Sequence, residues 1–453
     1  MRAATTHKGE FRPMTATMRL TLAIAAAVAL AACERDEILP GQRLDPMAVA
    51  SPGAPAYEGA PGVSSTALAL PGVSGNADWT QRGGNAAHAP VHAAIGAGTA
   101  RIWSAPIGQG ASRRHRITAD PVVAGGLVFT LDSRAQVTAT TVGGGRAWST
   151  DITPALEGAD SASGGGLAYE GGRVFATTGF GELVALDAAT GGVIWRQRVD
   201  NAIGGGPAVA DGMVYVASRS SVGWAVRASD GRVMWQAAGS PSATGVMGVS
   251  TPAVSGGTVV FPFPSGQLMA VDATSGLTTW TAQIAGQRAG RSIAYIRDVT
   301  GDPVVSGGRV YGGTSSGRID AVDMATGLRD WAADDGAMSP VVVAGGSVFA
   351  VNDQAELIRL DAATGGVIWR QPLPGFTTER VRKQSRVHAH YGPVLAGGRL
   401  FVASSDGVLR IFDPASGTLT GQAEIPGGAA SAPVVAGQTL YVVGRDGRLN
   451  AFR

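Results

Sequence analysis

Apolar residues along this chain fall in short runs broken by glycine, and the runs repeat. The stretch "GGRVFATTGFGELVALDAATGGVIWRQRV" (residues 171–199) shows the pattern. An apolar run follows paired glycines and a turn leads to a second run ending at Asp187. A Thr-Gly turn then precedes a third run carrying Trp195. Runs this short, bounded by glycine turns, read as β-strands. With "GGGLAYEG" ahead of them they make a unit of four: strand A there, strand B in "RVFATTG", strand C in "ELVALDA" and strand D in "GVIWRQRV".

The unit recurs. The position just before strand B falls at Gly126, Gly172, Gly212, Gly257, Gly308, Gly346, Gly398 and Gln438, which gives eight units about 45 residues long. The clearest shared phrase is "ALDAATGGVIW" at Trp195, with "AVDATSGLTTW" at Trp280, "AVDMATGLRDW" at Trp331 and "RLDAATGGVIW" at Trp369. Weaker forms end at Trp148 and Trp235, and "IFDPASGTLTG" puts Gly421 where tryptophan is expected. Its chemistry suits a strand C to strand D turn. Asp187 can accept backbone N–H groups there, and Gly191 can take a positive φ. Trp195 is large enough to wedge between neighbouring sheets. Four short strands at this period predict an all-β fold, an eight-bladed β-propeller of four-stranded antiparallel blades. The last unit stops after its third strand, while "TARIWSAPIG" upstream of the first unit carries Trp103 as a fourth strand would. The N-terminal strand is therefore expected to complete the last blade and close the ring, which removes free sheet edges.

The N-terminus reads differently. "MRLTLAIAAAVALAAC" has a basic start at Arg19, an apolar run, and small residues before Cys33, the chain's one cysteine. Residues 1–32 are expected to be a signal peptide, and "LAAC" resembles a lipobox, after which Cys33 would be lipidated. Glu34 in place of aspartate favours, by the same resemblance, the outer over the inner membrane. Residues 33–76 are rich in Pro, Ala, Ser and Gly and are expected to be a flexible tether. The propeller is assigned to 77–453. The start codon is Met1, Met14 or Met18.

Composition narrows the chemistry. The 67 glycines among 453 residues fit many tight turns, and a net charge of +2 selects no nucleic-acid partner. With one cysteine there is no intramolecular disulfide. No catalytic, metal or cofactor site is expected. Asp187, Asp272, Asp323 and Asp361 are accounted for by their turns. His388 and His390 lack a third ligand nearby, so loop packing is the simpler reading, and His115 is flanked by arginines. The glycine triplets at 143–145, 164–166 and 204–206 lack a phosphate-loop Lys-Ser/Thr.

The D–A and B–C loops share one face of such a ring, and the D–A loops vary most in length. Function is placed there, because a rigid scaffold commonly carries binding residues on its loops. Arginines cluster in these loops: Arg113, Arg114 and Arg116; Arg288, Arg291 and Arg297; Arg380, Arg382, Lys383 and Arg386. They suggest a docking surface for an acidic partner or lipid headgroups.

The shared phrase resembles that of PQQ-like propeller repeats. The lipobox, the single eight-unit ring, "DWTQRGGNAAHAP" (78–90) and "IRDVTGDPVVSGGRVYGGTSSGRIDAVD" (296–323) resemble the outer membrane protein assembly factor BamB family. The resemblance implies a non-enzymatic scaffold lipoprotein on the periplasmic face of the outer membrane, within the β-barrel assembly machinery. It would bind the POTRA domains of the central barrel subunit, associate with the other lipoproteins of that machinery, and help deliver unfolded outer-membrane proteins. The matching loops are "ATGVMGVSTP" (243–252), where Val246 and Met247 stand in place of Leu and Arg, and "RSIAYIRDVTGDP" (291–303), with Arg297 and Asp298. Two other readings stay open: a PQQ-dependent periplasmic dehydrogenase, whose relatives use calcium, and a propeller that stacks sugars on exposed tryptophans such as Trp224.

Overall fold

Each repeating unit folds as a four-stranded antiparallel sheet, and eight such sheets are present among the described residues. The computed structural model describes residues 65–453 except 97, 98, 200, 243, 244, 247–250, 289–294, 381 and 383. Cys33 and the signal peptide lie outside the described residues. Blades 1 to 7 span 122–151, 167–198, 208–238, 253–283, 301–333, 342–372 and 390–424. In blade 2 the strands are Leu167–Glu170, Arg173–Thr177, Glu182–Asp187 and Val193–Arg198, each inside the stretch read for it.

Blade 8 is assembled from both ends of the chain. Strands Val434–Ala436, Thr439–Val443 and Arg448–Phe452 are joined by Arg101–Pro106, which pairs with the last strand from Arg101↔Phe452 to Pro106↔Arg448. The closing strand is the N-terminal one, as its sequence implied.

The core lies between blades. In strand C of blade 2, Val184 and Leu186 pack against blade 1, while Leu183 and Ala185 pack against blade 3. Alternate side chains leave opposite faces of a strand. Both faces here meet a neighbouring sheet, so the strand is apolar throughout.

The tryptophan register is a staple. Trp195 Nε1 donates to Ala228 O of blade 3 at 3.1 Å, and a Cβ on Gly231 would stand 2.7 Å from the indole. Gly231 therefore has to be glycine, both for this approach and for its φ of 76°. Seven blades carry the same bond to the next blade's turn, at 2.8–3.2 Å, from Trp103, Trp148, Trp195, Trp235, Trp280, Trp331 and Trp369. The turn itself is held by its aspartate. Asp187 Oδ1 accepts Ala189 N and Thr190 N at 3.1 and 2.8 Å, together with the Thr190 hydroxyl, and these bonds hold its pKa below the usual range. A bulge precedes the tryptophan position in every D strand. It turns Ile102, Ile194 and Met234 outward, which accounts for their exposure.

Residues 66–76 were expected to be tether and residues 77–96 to belong to the ring. Together they bond to every blade at the A–B turn end of its innermost strand. Trp79 bridges Val123 of blade 1, and Gln81 bridges Ala168 of blade 2. The Gln81 amide exchanges hydrogen bonds with Val209 of blade 3. Ala86 O and Ala87 O accept Val254 N of blade 4 and Val305 N of blade 5. Ala69 N donates to Gly345 O of blade 6, and Ala93 and Ile95 bridge blades 7 and 8. Inner strands would otherwise leave unpaired N–H and C=O groups around the axis. Arg82 turns into this hub between Asp120 of blade 1 (3.4 Å) and Asp302 of blade 5 (2.5 Å). Thr66, Ala69 and Asn76, within the stretch expected to be tether, are thus bonded to the ring.

Candidate functional site

The D–A loops entering blades 4 and 5 carry Val246, Arg297 and Asp298, and two carboxylates, Asp298 and Asp302 at the start of blade 5, hold the first loop. Asp302 Oδ1 accepts the backbone N–H of Thr251 at 3.0 Å. Asp298 Oδ2 accepts the N–H of Val246 in a short bond. Gly245 O in turn accepts Arg219 Nη2 at 2.9 Å, from the B–C turn of blade 3. The loop from blade 3 is thereby tied on one side to its own blade and on the other to the loop ahead of blade 5.

Asp298 is 1% exposed, and its Oδ1 has no hydrogen-bond partner among the described residues. Burial raises its pKa from 3.8 to about 6, against the opposing pull of the Val246 N–H and Arg219. A carboxylate in a low-dielectric site favours its neutral form in this way. The expectation that Asp298 would meet a partner directly is therefore revised: the side chain points into the loop and positions it. Arg297 and Tyr295 face outward, Tyr295 at 85% exposure, and Val246 is partly exposed. Met247 lies outside the described residues.

The arginine clusters divide on inspection. Arg113, Arg114, Arg116, Arg297, Arg380, Arg382 and Arg386 are exposed. Arg288 is not free: its guanidinium holds Asp353 at 2.5 and 2.9 Å and Asp334 O at 2.7 Å. It is a strut between two loops, and that correction removes it from any docking surface. Arg291 and Lys383 lie outside the described residues. The long loop before blade 7 folds back on itself, with Phe376 bridging Val387.

His390 has both ring nitrogens engaged, Nδ1 with the Ser404 hydroxyl at 2.7 Å and Nε2 with Pro374 O at 2.8 Å. A carbonyl can only accept, so Nε2 donates and Nδ1 accepts. Burial lowers its pKa, which keeps the ring neutral and fits packing. His115 sits likewise against Ser112 and Asp160 O. Trp224 is 8% exposed within the core between blades 2 and 3. That corrects the expectation of an exposed sugar platform: the residue lies on strand C, whose two faces are both covered. Among the described residues no group of three or more His, Cys, Asp or Glu is placed to hold a metal. The pairing of Asp298 with Val246 and of Asp302 with Thr251 left no signal in the sequence beyond two aspartates near a loop.

Comparison with known proteins gives a consistent result. The family model for outer membrane protein assembly factor BamB matches residues 133–371 and 360–453. A protein of that name from Shigella dysenteriae is 30% identical over 358 residues, covering 76% of this chain and 86% of the relative. The match to its namesake in Legionella pneumophila is 26% identical over 212 residues, 47% of this chain, so the chain spans about half the length of that relative, 52%. Among solved structures, BamB from Moraxella catarrhalis superposes with a TM-score of 0.65 at 20% identity, over 78% of this chain and 99% of that one. A quinohemoprotein alcohol dehydrogenase from Comamonas testosteroni reaches 0.63 at 16% identity, over 83% and 80%. At these identities the superpositions show a common propeller fold and nothing of chemistry.

Proposed function

The chain belongs to the outer membrane protein assembly factor BamB family, and from that premise we propose that it is a non-enzymatic scaffold of the outer-membrane β-barrel assembly machinery. It is anchored in the outer membrane through a lipid on Cys33 and works on the periplasmic face. Its D–A loops dock on the POTRA domains of the central barrel subunit, alongside the machinery's other lipoproteins, and this aids the folding and insertion of outer-membrane proteins.

The observation that carries the reading is the pair of loops pinned by buried carboxylates, Asp298 on Val246 and Asp302 on Thr251. A binding loop held in one shape loses less entropy on docking. The ring's axis also favours binding over catalysis as the molecule's task. The chain's own segment fills the hub, with Arg82 between two aspartates in the space at the centre of the ring.

The test is capture of tagged, lipidated protein from gently solubilised outer membranes, followed by titration of purified POTRA domains. A POTRA-containing barrel protein is expected to come along. Asp298→Arg forces a cation into a buried site and is expected to weaken docking at least about tenfold, with the ring still folded by circular dichroism. Val246→Glu tests direct contact on the same loop. Docking undiminished in both variants would overturn this choice of loops.

A further inference from the structure

A trough of about 330 Å³ opens on the D–A face between blades 1, 2 and 3. Five loops and turns wall it, from Arg114 ahead of blade 1 to Arg219 in the B–C turn of blade 3. Gly164, Gly179 and Gly204 lie along it. A Cβ on Gly179 would stand 2.2 Å from Ser163 O, so that wall is bare main chain by necessity. Bare main chain lets another backbone approach closely.

The charge of the trough is one-sided. Arg114 is exposed and has no ion pair among the described residues. Asp160, the acid on the wall, is already paired with Arg134 at 3.0 Å. Arg219 spends one Nη2 bond on Gly245 O and has the Asp298 carboxylate nearby, which leaves the rest of its donor fork for a ligand. A guanidinium presents five donors in a planar fork that matches a carboxylate.

We propose that this trough binds a carboxylate carried on a short extended peptide, with Arg114 and Arg219 as its two cationic contacts and the glycine walls meeting the peptide backbone. The volume is at the small end for ligand sites, enough for a short segment and too little for a folded domain. The site goes beyond the docking reading, since it needs no POTRA contact. The two share one side chain: Arg219 holds Gly245, the neighbour of Val246. A ligand that draws on Arg219 therefore acts on the docking loop.

The test uses the full-length protein alone. Four-residue Gly-Ser peptides carrying a neutral dye at the N-terminus are titrated by fluorescence anisotropy in three forms: free C-terminal carboxylate, amidated C-terminus, and amidated with glutamate replacing serine. The first is expected to bind and the second is not. Binding of the third as well assigns the site to carboxylates of any source; its failure restricts the site to chain ends. Arg114→Ala and Arg219→Gln are each expected to lower affinity about tenfold, the scale of one charge-assisted hydrogen bond. Ala162→Glu sets an acid in the wall and is expected to abolish binding, which keeps the test open should Arg219→Gln fail to fold. Arg232→Ala, at an exposed arginine in the C–D turn of blade 3 on the opposite face, is expected to bind as wild type. Equal binding of the amidated neutral peptide, undiminished binding in the trough variants, or an equal loss in Arg232→Ala would overturn the proposal. None of these outcomes depends on whether POTRA domains dock.

Discussion

At the residue scale the ring is held by one contact made seven times. Trp280 is 7% exposed, donates to Met324 O at 2.8 Å, and lies over Gly327. Trp280→Ala is expected to cost roughly 3–5 kcal/mol, measured by urea unfolding, because it removes a buried aromatic and opens a cavity between two blades. Gly327→Ala should also destabilise, since φ there is 71° and the indole occupies the place of the new methyl. The repeat phrase made these contacts legible from sequence, because one register carries the tryptophan and a fixed turn carries the glycine. Gly421 is the informative exception. The blade it faces is the eighth, where strands C and D come from opposite ends of the chain and no C–D turn exists to receive an indole. Asp298 was legible as a residue but not as a buried one, because its burial depends on the loop from the preceding blade. Its raised pKa gives a signed prediction. Between pH 7 and about 4 the folded state holds a proton that the unfolded state releases, so this group's contribution to stability grows as pH falls. Asp298→Asn removes that dependence. Urea unfolding across pH is expected to show the wild type gaining on the variant as the medium is acidified.

At the element scale the strands were readable and the hub was not. Blade strands have two buried faces and leave continuous apolar runs between glycine turns. Residues 66–96 bond mainly through main-chain groups and single side chains, so they leave no period. Composition alone made their first part look like tether. Arg82 is where the segment carries most electrostatic weight. Asp302 is fully buried and burial pushes the Asp120 carboxyl up, with Arg82 as their common partner. Arg82→Ala would strand buried carboxylates and is expected to cost about 3–5 kcal/mol. Part of that loss should return at low pH, where the carboxylates can protonate. A loss that did not ease on acidification would mean that the side chain acts by packing alone.

At the scale of the whole molecule, the count of eight and the closing strand both followed from sequence, because a unit missing its last strand had a matching strand upstream. Which loops are pinned to one another could not follow, since those bonds join blades that the repeat treats alike. The closed ring also makes stability collective. Removing Arg448–Phe452 deletes the partner of Arg101–Pro106 and leaves two open sheet edges in one blade. Such a chain is expected to melt well below the intact one and to aggregate, which light scattering on heating would detect.

The seam has a consequence in time. Ser104 and Arg448, bonded side by side in the finished ring, are 344 residues apart along the chain. A contact so distant in sequence forms late. During synthesis the first strand waits until Arg448–Phe452 has emerged. Through that interval it is an unpaired edge, exposed to any other chain that could pair with it. A protein proposed to assist the folding of others thus begins as a chain that itself needs shelter, and a message truncated ahead of Arg448 yields a product that never leaves that state.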